Sequence, residues 1–272
     1  MIWPFKLRAS KQIARIEVKG VINSEARKFL LEALETVKQK KFPALLLRID
    51  SPGGTVGDSQ EIYEALKKLQ KKVKIVATFG NISASGGVYI SMGAPYIMSN
   101  PGTITGSIGV ILRGNNFKQL LDKIGVSFQV VKSGPYKDIL SFDRQLTTEE
   151  EKILQEMIDT SYQQFINTIS KERNLDINKT KSFADGRIFT GQQALELGMV
   201  DRLGSEEDAR RWAAELVGLD PEKTPCFNIE EPKPLLNRVF SKDKSQSKFL
   251  LLSDCIEFEI KTSGQLLWLY HP

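Results

Sequence analysis

Histidine is almost absent: the 272-residue chain has one, His271, and it is the penultimate residue. That scarcity removes the usual imidazole base for a nucleophilic serine, and it leaves too few nitrogen ligands for a metal centre. Cysteine is nearly as scarce. Cys226 and Cys255 are too few and too far apart for a zinc site or a disulfide framework, so a reducing compartment is expected. No run of about 18 or more apolar residues is present, as a membrane-spanning helix would need. The N-terminus, Met1 to Arg8, lacks the apolar core of a signal peptide, which points to a cytoplasmic or peripherally membrane-associated protein. Trp3 and Phe5 beside Lys6 and Arg8 suit either contact with a membrane surface or a frayed terminus. No phosphate-loop or dinucleotide glycine pattern occurs, and no cofactor is expected. The formal charge is +5, but the lysines spread over helical faces such as Lys67 to Lys72 and do not gather with aromatics. That reads as solvated surface, not as a nucleic-acid patch.

With 41% hydrophobic and 26% charged residues, the composition is that of a globular protein large enough to bury a sizeable core. The first half alternates apolar β-type runs with amphipathic helical patterns, the signature of an α/β fold. Strands are predicted at Ile13 to Ile22, Ala44 to Asp50, Val73 to Phe79, Tyr96 to Ser99, Ile108 to Leu112 and Ser127 to Val131. A helix capped by Ser24 runs to about Lys40, with Leu30, Leu34 and Val37 on its apolar stripe, and a second covers Asp58 to Leu69. A long helix from Thr147 to about Arg173 starts with the capping pattern Thr147-Thr148-Glu149-Glu150. It is too long for a simple crossover and is a candidate interface.

After Gly218 the composition shifts to Pro221, Pro225, Pro232 and Pro234, followed by a polar run from Ser241 to Lys248. Three segments follow: a domain over residues 1–218, a linker over 219–248 and a C-terminal tail over 249–272. The tail shows two short strand patterns, Phe249 to Leu252 and Ile256 to Ile260, and an apolar end, Leu266 to Tyr270.

Three glycine-rich turns each follow a predicted strand: Asp50-Ser51-Pro52-Gly53-Gly54-Thr55, Ser83-Ala84-Ser85-Gly86-Gly87 and Thr103-Ile104-Thr105-Gly106-Ser107-Ile108-Gly109. Such turns are where open α/β sheets place ligands. A single glycine pair would be a plain tight turn; three in step with strands suggest backbone N–H groups brought close to a ligand, as an oxyanion hole requires. Ser85 sits where a strand turns into a helix, whose N-terminus favours developing negative charge. A serine is inert at its free pKa and needs a base. With no usable histidine, that base is expected to be a lysine whose amine burial keeps neutral. Lys137, just past the strand pattern ending at Val131 and a Gly134-Pro135 turn, is the candidate, against the ordinary expectation of a solvated surface lysine. The Ser-x-x-Lys pairs Ser241/Lys244 and Ser245/Lys248 lie in the polar linker and are set aside as chance.

At these residues the chain resembles the signal peptide peptidase A family of serine/lysine peptidases, relatives of the Clp protease and crotonase fold. The resemblance runs from about Ile13 to Val217 and rests on the three turns, on Gly134-Pro135-Tyr136-Lys137-Asp138, and on Asp185-Gly186-Arg187-Ile188-Phe189-Thr190-Gly191 leading to Asp201. It implies a Clp protease/crotonase-like fold of repeated strand-turn-helix units with a C-terminal appendage. It implies Ser85 as nucleophile, Lys137 as general base and Ser107 as the residue holding the lysine amine. Gly54 and Gly86 are the choices for the oxyanion hole, with Gly53 an alternative to Gly54. Ser83 is the competing nucleophile, but only Ser85 precedes the glycine pair. The Asp185 to Asp201 segment reads as packing.

The implied activity is hydrolysis of hydrophobic peptides, such as remnant signal peptides, by a homo-oligomeric ring in which the lysine of one subunit completes the serine of its neighbour. The N-terminal membrane span usual in the family is missing from the sequence. Two rival readings use the same turns: a crotonase-like acyl-thioester enzyme, and a catalytically silent ring scaffold. The apolar Leu266 to Tyr270 end is a candidate to dock in or near the substrate groove.

Overall fold

The computed structural model describes residues 8–231 and 264–270. The aromatic residues of the N-terminal segment, the polar linker run and the strands expected at Phe249 to Leu252 and Ile256 to Ile260 lie outside the described residues. The chain divides into two compact units, one of residues 1–109, 163–232 and 268–272, the other of 110–162 and 233–267.

Strands and helices alternate through the first unit: β1 (Ile13–Lys19), α1 (Ser24–Gln39), β2 (Ala44–Ser51), β3 (Gly53–Thr55), α2 (Val56–Leu69), β4 (Lys74–Ala84), α3 (Gly86–Ser91), β5 (Tyr96–Ser99) and β6 (Ile104–Gly106). The second unit holds β7 (Ile111–Leu112), α4 (Lys118–Ile124) and the start of α5 (Thr148–Arg173), inside which the unit boundary falls. The first unit resumes with α6 (Ile177–Phe183), β8 (Ile188–Thr190), α7 (Gly191–Leu197), β9 (Arg202–Leu203), α8 (Glu206–Glu215) and β10 (Cys226–Asn228). Finally, β11 (Leu266–Leu269) starts in the second unit and ends in the first.

The main sheet runs β10-β1-β2-β4-β5-β9, every neighbouring pair parallel, with β6 pairing β4 and β8. Parallel neighbours need crossovers, and α1 and α2 supply them. Covering both faces explains the continuous apolar run Ala44-Leu45-Leu46-Leu47 in β2, all buried. One face packs Ile13, Ala44, Leu46, Val76 and Met98 against Ala209, Trp212 and Ala213 of α8. The alternate residues Leu45 and Leu47 point to the opposite side. There α1 buries Leu30, Leu34 and Val37, and α2 buries Ile62, Leu66 and Leu69.

Several boundaries differ from those expected. The cap of α1 is Asn23, not Ser24, because its amide oxygen accepts from Glu25 N at 3.1 Å and Ala26 N at 2.9 Å. β1 stops at Lys19, where Gly20 turns the chain with φ +76°; Ile22 makes an isolated bridge to Gly54. The segment Ser127 to Val131 is not a strand: its alternating pattern has no partner, and Val131 is 101% exposed. Ile108 to Leu112 shortens to the two residues of β7. Inside the stretch read as a linker, β10 extends the sheet by pairing Cys226 with Ile13. The cap of α5 is as expected: Glu150 N donates to Thr147 Oγ1 at 3.2 Å and Thr147 N to Glu150 Oε2 at 2.9 Å. Among the described residues no helix is long and apolar enough to cross a membrane.

Candidate functional site

β4 is longer than its sequence pattern predicts, running past Phe79 to Ala84, and it changes partners on the way. Val76, Ala77 and Thr78 pair with β5, whereas Ile82, Ser83 and Ala84 pair with β6. On the other edge the register with β2 slips: Ile49 opposes Phe79, but Ser51 opposes Ser83. Asp50 fills the bulge, its carboxylate accepting from Ile82 N at 3.1 Å, and a β-carbon at Gly80 would come 2.6 Å from the Asp50 carboxyl carbon. Two buried threonines hold the far edge, Thr103 Oγ1 donating to Gly80 O and Thr105 Oγ1 to Ser83 O, each at 2.6 Å. These bonds hold the end of β4 against β2 and β6 up to the turn at Ser85.

Ser85 occupies that turn between β4 and α3, 1% exposed, with φ 52° and ψ −113°. A positive φ is costly for any residue with a β-carbon, and strand-to-helix turns with a strained serine recur where a hydroxyl must be presented to a substrate. Its N–H donates to Gly106 O at 2.8 Å and its C=O accepts from Tyr89 N at 2.9 Å, so the backbone is fixed on both sides. Ser107 leaves β6 at the same level and with the same twist, at φ 51°, its N–H donating to Arg187 O at 2.7 Å. The Asp185 to Gly191 segment thus packs under the site: β8 pairs antiparallel with β6, and Phe189 closes the space beside Gly106.

Around Ser85 the backbone comes close because there are no side chains in the way. A β-carbon on Gly86 would lie 2.8 Å from Ser59 Oγ and 3.0 Å from both Gly54 N and the carbonyl oxygen of Trp268. One on Gly53, where φ is +104°, would lie 2.0 Å from that carbonyl oxygen and 2.6 Å from Gly86 N. Gly54 is equally tight, since its β-carbon would fall 1.8 Å from Ile22 O. The backbone of Gly54 and that of Gly86 therefore lie close together, Gly54 N within 3.0 Å of the place a Gly86 β-carbon would take. Ser83, the competing serine, is fully buried in β4, and its hydroxyl has no hydrogen-bond partner.

The structure collects Ser85, Ser107, Gly54 and Gly86 in the first unit and places Lys137 in the second. Lys137 is exposed, on a turn closed by its N–H to Gly134 O at 3.3 Å. The base chemistry calls for a buried amine, and within one chain that burial is lacking. What does hold the turn is the next residue, Asp138, bound by Lys132 Nζ at 2.6 Å and by Arg144 Nη2 at 2.8 Å. Arg144 also reaches Glu150 at 2.5 Å. These cations hold the Asp138 carboxyl well below the usual carboxylate range, and Arg144 draws Glu150 down to about 2. Arg144 is raised in turn, by Glu150 first and Asp138 second.

Sequence reasoning missed Asp50, Thr103, Thr105 and Arg144. The first three sit in the glycine-rich motifs, yet nothing in the motifs tells a polar side chain that pins a strand from one that decorates a turn. Among the described residues no cluster of three or more His, Cys, Asp or Glu side chains could hold a metal ion.

The Peptidase family S49 model matches residues 67–220, and the Clp protease model matches residues 9–101. A Synechocystis sp. protein provisionally named a protease is 65% identical over 99% of this chain and 100% of its own length. An Enterococcus faecium protein provisionally named signal peptide peptidase SppA is 39% identical over 74% of this chain; the match spans 62% of that protein. Among solved structures, an alanine variant of the 1510-N membrane-bound stomatin-specific protease superposes with TM-score 0.56 at 16% identity, covering 81% of this chain and 98% of that one. The expected Clp protease-like α/β fold is therefore the fold observed.

Proposed function

The chain belongs to peptidase family S49 and is a peptidase, and from that premise we propose that it is a serine endopeptidase in which Ser85 is the nucleophile and Lys137 the base. The observation that carries this reading is the conformation of Ser85: buried, left-handed, at a strand-to-helix turn, with Gly54 N close to the next residue, Gly86. A serine needed only for packing would gain nothing from a strained φ, and the surrounding hydrogen bonds hold it there.

In this reading the neutral Lys137 amine takes the proton from Ser85 Oγ as the oxygen attacks a peptide carbonyl. The carbonyl oxygen gains the electron pair and charge, and the N–H groups of Gly54 and Gly86 stabilise it; one such donor contributes roughly 3 to 4 kcal/mol. The lysine then gives the proton to the leaving amine. Water, deprotonated by the same amine, releases the acyl group from Ser85. Ser107 orients the amine through its hydroxyl.

Lys137 is exposed in the single chain, whereas a lysine acting as base works from an enclosed site. Assembly into a ring supplies that burial in this reading. Phe117, Leu120, Ile124, Phe128, Val130 and Val131 in the same unit as Lys137 are all exposed apolar side chains, the kind of surface that a neighbouring copy covers. The substrates are extended, apolar peptides, with no cofactor; residual signal peptides have that chemistry.

Hydrolysis of a fluorogenic apolar peptide by wild type, Ser85→Ala and Lys137→Ala, with assembly size monitored, tests the proposal. Each variant should lose activity, and mixing the two should restore part of it if the site is shared between subunits. Full activity in Ser85→Ala would refute the assignment.

A further inference from the structure

The last described residues run into the candidate site. Tyr270 N donates to Pro52 O at 2.7 Å, and the carbonyl oxygen of Trp268 lies against Gly53 and Gly86, in the space that a β-carbon on either glycine would need. The chain at Trp268 to Tyr270 thus lies along the Pro52-Gly53 edge as an added strand, which is how proteins commonly bind extended peptides. The indole of Trp268 is fully buried. Its ring centroid is 4.0 Å from that of Tyr89 and 4.8 Å from that of Phe165, and Tyr63 stacks behind Tyr89 at 5.2 Å. Tyr63 of α2, Tyr89 of α3 and Phe165 of α5 thus form an aromatic pocket filled by the indole, and α3, which carries Tyr89, starts directly after Ser85.

We propose that Trp268 to Tyr270 lies in the peptide groove of this peptidase as a built-in substrate analogue, and that the Tyr89 and Phe165 pocket takes a large apolar side chain from the acyl side of the bond to be cut. This rests on the peptidase reading above. The side is set by the carbonyl: the Trp268 oxygen lies against Gly53 and Gly86, so Trp268 stands where the residue supplying the acyl group would stand. The chemistry is set by the walls. The pocket is lined by aromatic rings, and the indole N–H is buried with no hydrogen-bond partner. An apolar ring without a donor fits better, so phenylalanine is preferred there to tryptophan. A second consequence is that the resident strand competes with substrate. A groove open in only a fraction of molecules binds proportionally less tightly.

The test uses the full-length chain and its Trp268→Ala and Tyr270→Pro variants, the latter lacking the N–H that Pro52 accepts. Both should hydrolyse fluorogenic peptides bearing Phe or Leu on the acyl side about tenfold faster than wild type, with little gain for Ala or Asp peptides. A blocked synthetic peptide, Leu-Leu-Trp-Leu-Tyr, should inhibit the Trp268→Ala protein; its Phe analogue should inhibit more strongly and its Ala analogue weakly. Binding of the labelled peptide to Trp268→Ala carrying Ser85→Ala, read by fluorescence anisotropy, needs no catalysis. Peptide binding with that side-chain order, but no hydrolysis by any form, would overturn the peptidase reading and leave the groove standing. Hydrolysis indifferent to the acyl-side residue and unaltered in both variants, with no peptide binding, would overturn the groove and leave the peptidase. If Trp268→Ala fails to fold, Tyr270→Pro alone decides, and an unchanged rate and side-chain preference there overturns the proposal.

Discussion

Ser85 and Ser107 step off neighbouring parallel strands at the same level, immediately after the paired residues Ala84 and Gly106, and both enter the left-handed region, at φ 52° and 51°. The two serines are thereby presented by one structural device: a pair of strand ends that kink together. Gly106 is the hinge of the device. It has φ +88° and accepts the Ser85 N–H, and a β-carbon there would come 2.7 Å from the Phe189 ring and 2.8 Å from Arg187 O. Gly106→Ala should therefore strain the backbone and push β6 from β8. The expected cost is about 1–3 kcal/mol of stability. Peptide hydrolysis should fall more steeply than the stability loss alone explains, seen by comparing rate with folded fraction at one temperature.

Asp50 controls the other side of β4. Its carboxylate replaces a sheet partner for Ile82 N in the bulge between Ile49/Phe79 and Ser51/Ser83. Asp50→Ala strips a partly buried N–H of its acceptor at a cost of about 1–3 kcal/mol, and lets the end of β4 re-register against β2. The expected outcome is a lower midpoint in thermal unfolding and a rate reduced in kcat, with KM little changed, since Tyr89 and Phe165, the walls proposed for the side-chain pocket, lie beyond the bulge. A variant with normal kcat would show that the bulge does not position Ser85.

Acid should act on the second unit through the Arg144 cluster. The carboxyls of Asp138 and Glu150 are depressed in the folded protein, so their contribution to stability is complete above the ordinary carboxylate range. It is lost as pH falls through that range toward the folded value of about 2 for Glu150. Between about pH 5 and pH 2 the unfolded chain binds protons that the folded cluster refuses, which favours unfolding. Thermal midpoints across that window should drop steeply for wild type and more shallowly for Arg144→Ala, which begins from a lower value near neutrality. Equal slopes for the two proteins would mean that the cluster carries no linkage.

Legibility in the sequence follows the range of the interaction concerned. The β2 strand and the α2 helix can be read because continuous or periodic burial is written in adjacent residues, as in Ala44 to Leu47 and Ile62, Leu66, Leu69. The glycine turns mark the candidate site because close backbone approach demands residues without side chains. What fails is anything that depends on a partner far along the chain. The alternation of Phe128, Val130 and Val131 with polar neighbours after Ser127 looks like a strand and has nothing to pair with. Phe79 to Ala84, ordinary in composition, continues as strand because β6 is there to receive it. Asp50 and Ile82, 32 residues apart, meet only through the bulge. The apolar end at Leu266 to Tyr270 stands out in the sequence by its composition, but its place at Gly53 and Gly86 comes only with the structure.

Ser83 offers a clean control for the assignment of Ser85. The two hydroxyls are two residues apart in the same motif, so a serine-directed reagent that labels the segment does not by itself identify the nucleophile. They differ in surroundings. Ser83 is fully buried within β4, opposite Thr105 and Ser51, and its Oγ has no hydrogen-bond partner. Removing a buried hydroxyl that makes no bond relieves a desolvation cost, so Ser83→Ala should be neutral or stabilising by up to about 1 kcal/mol. Because the backbone of β4 is held by Asp50, Thr103 and Thr105 and not by the Ser83 side chain, Ser85 keeps its turn and the rate should stay within about twofold of wild type. Loss of hydrolysis in Ser83→Ala at unaltered thermal midpoint would transfer the nucleophile's role to Ser83 and make the left-handed turn at Ser85 a matter of architecture alone.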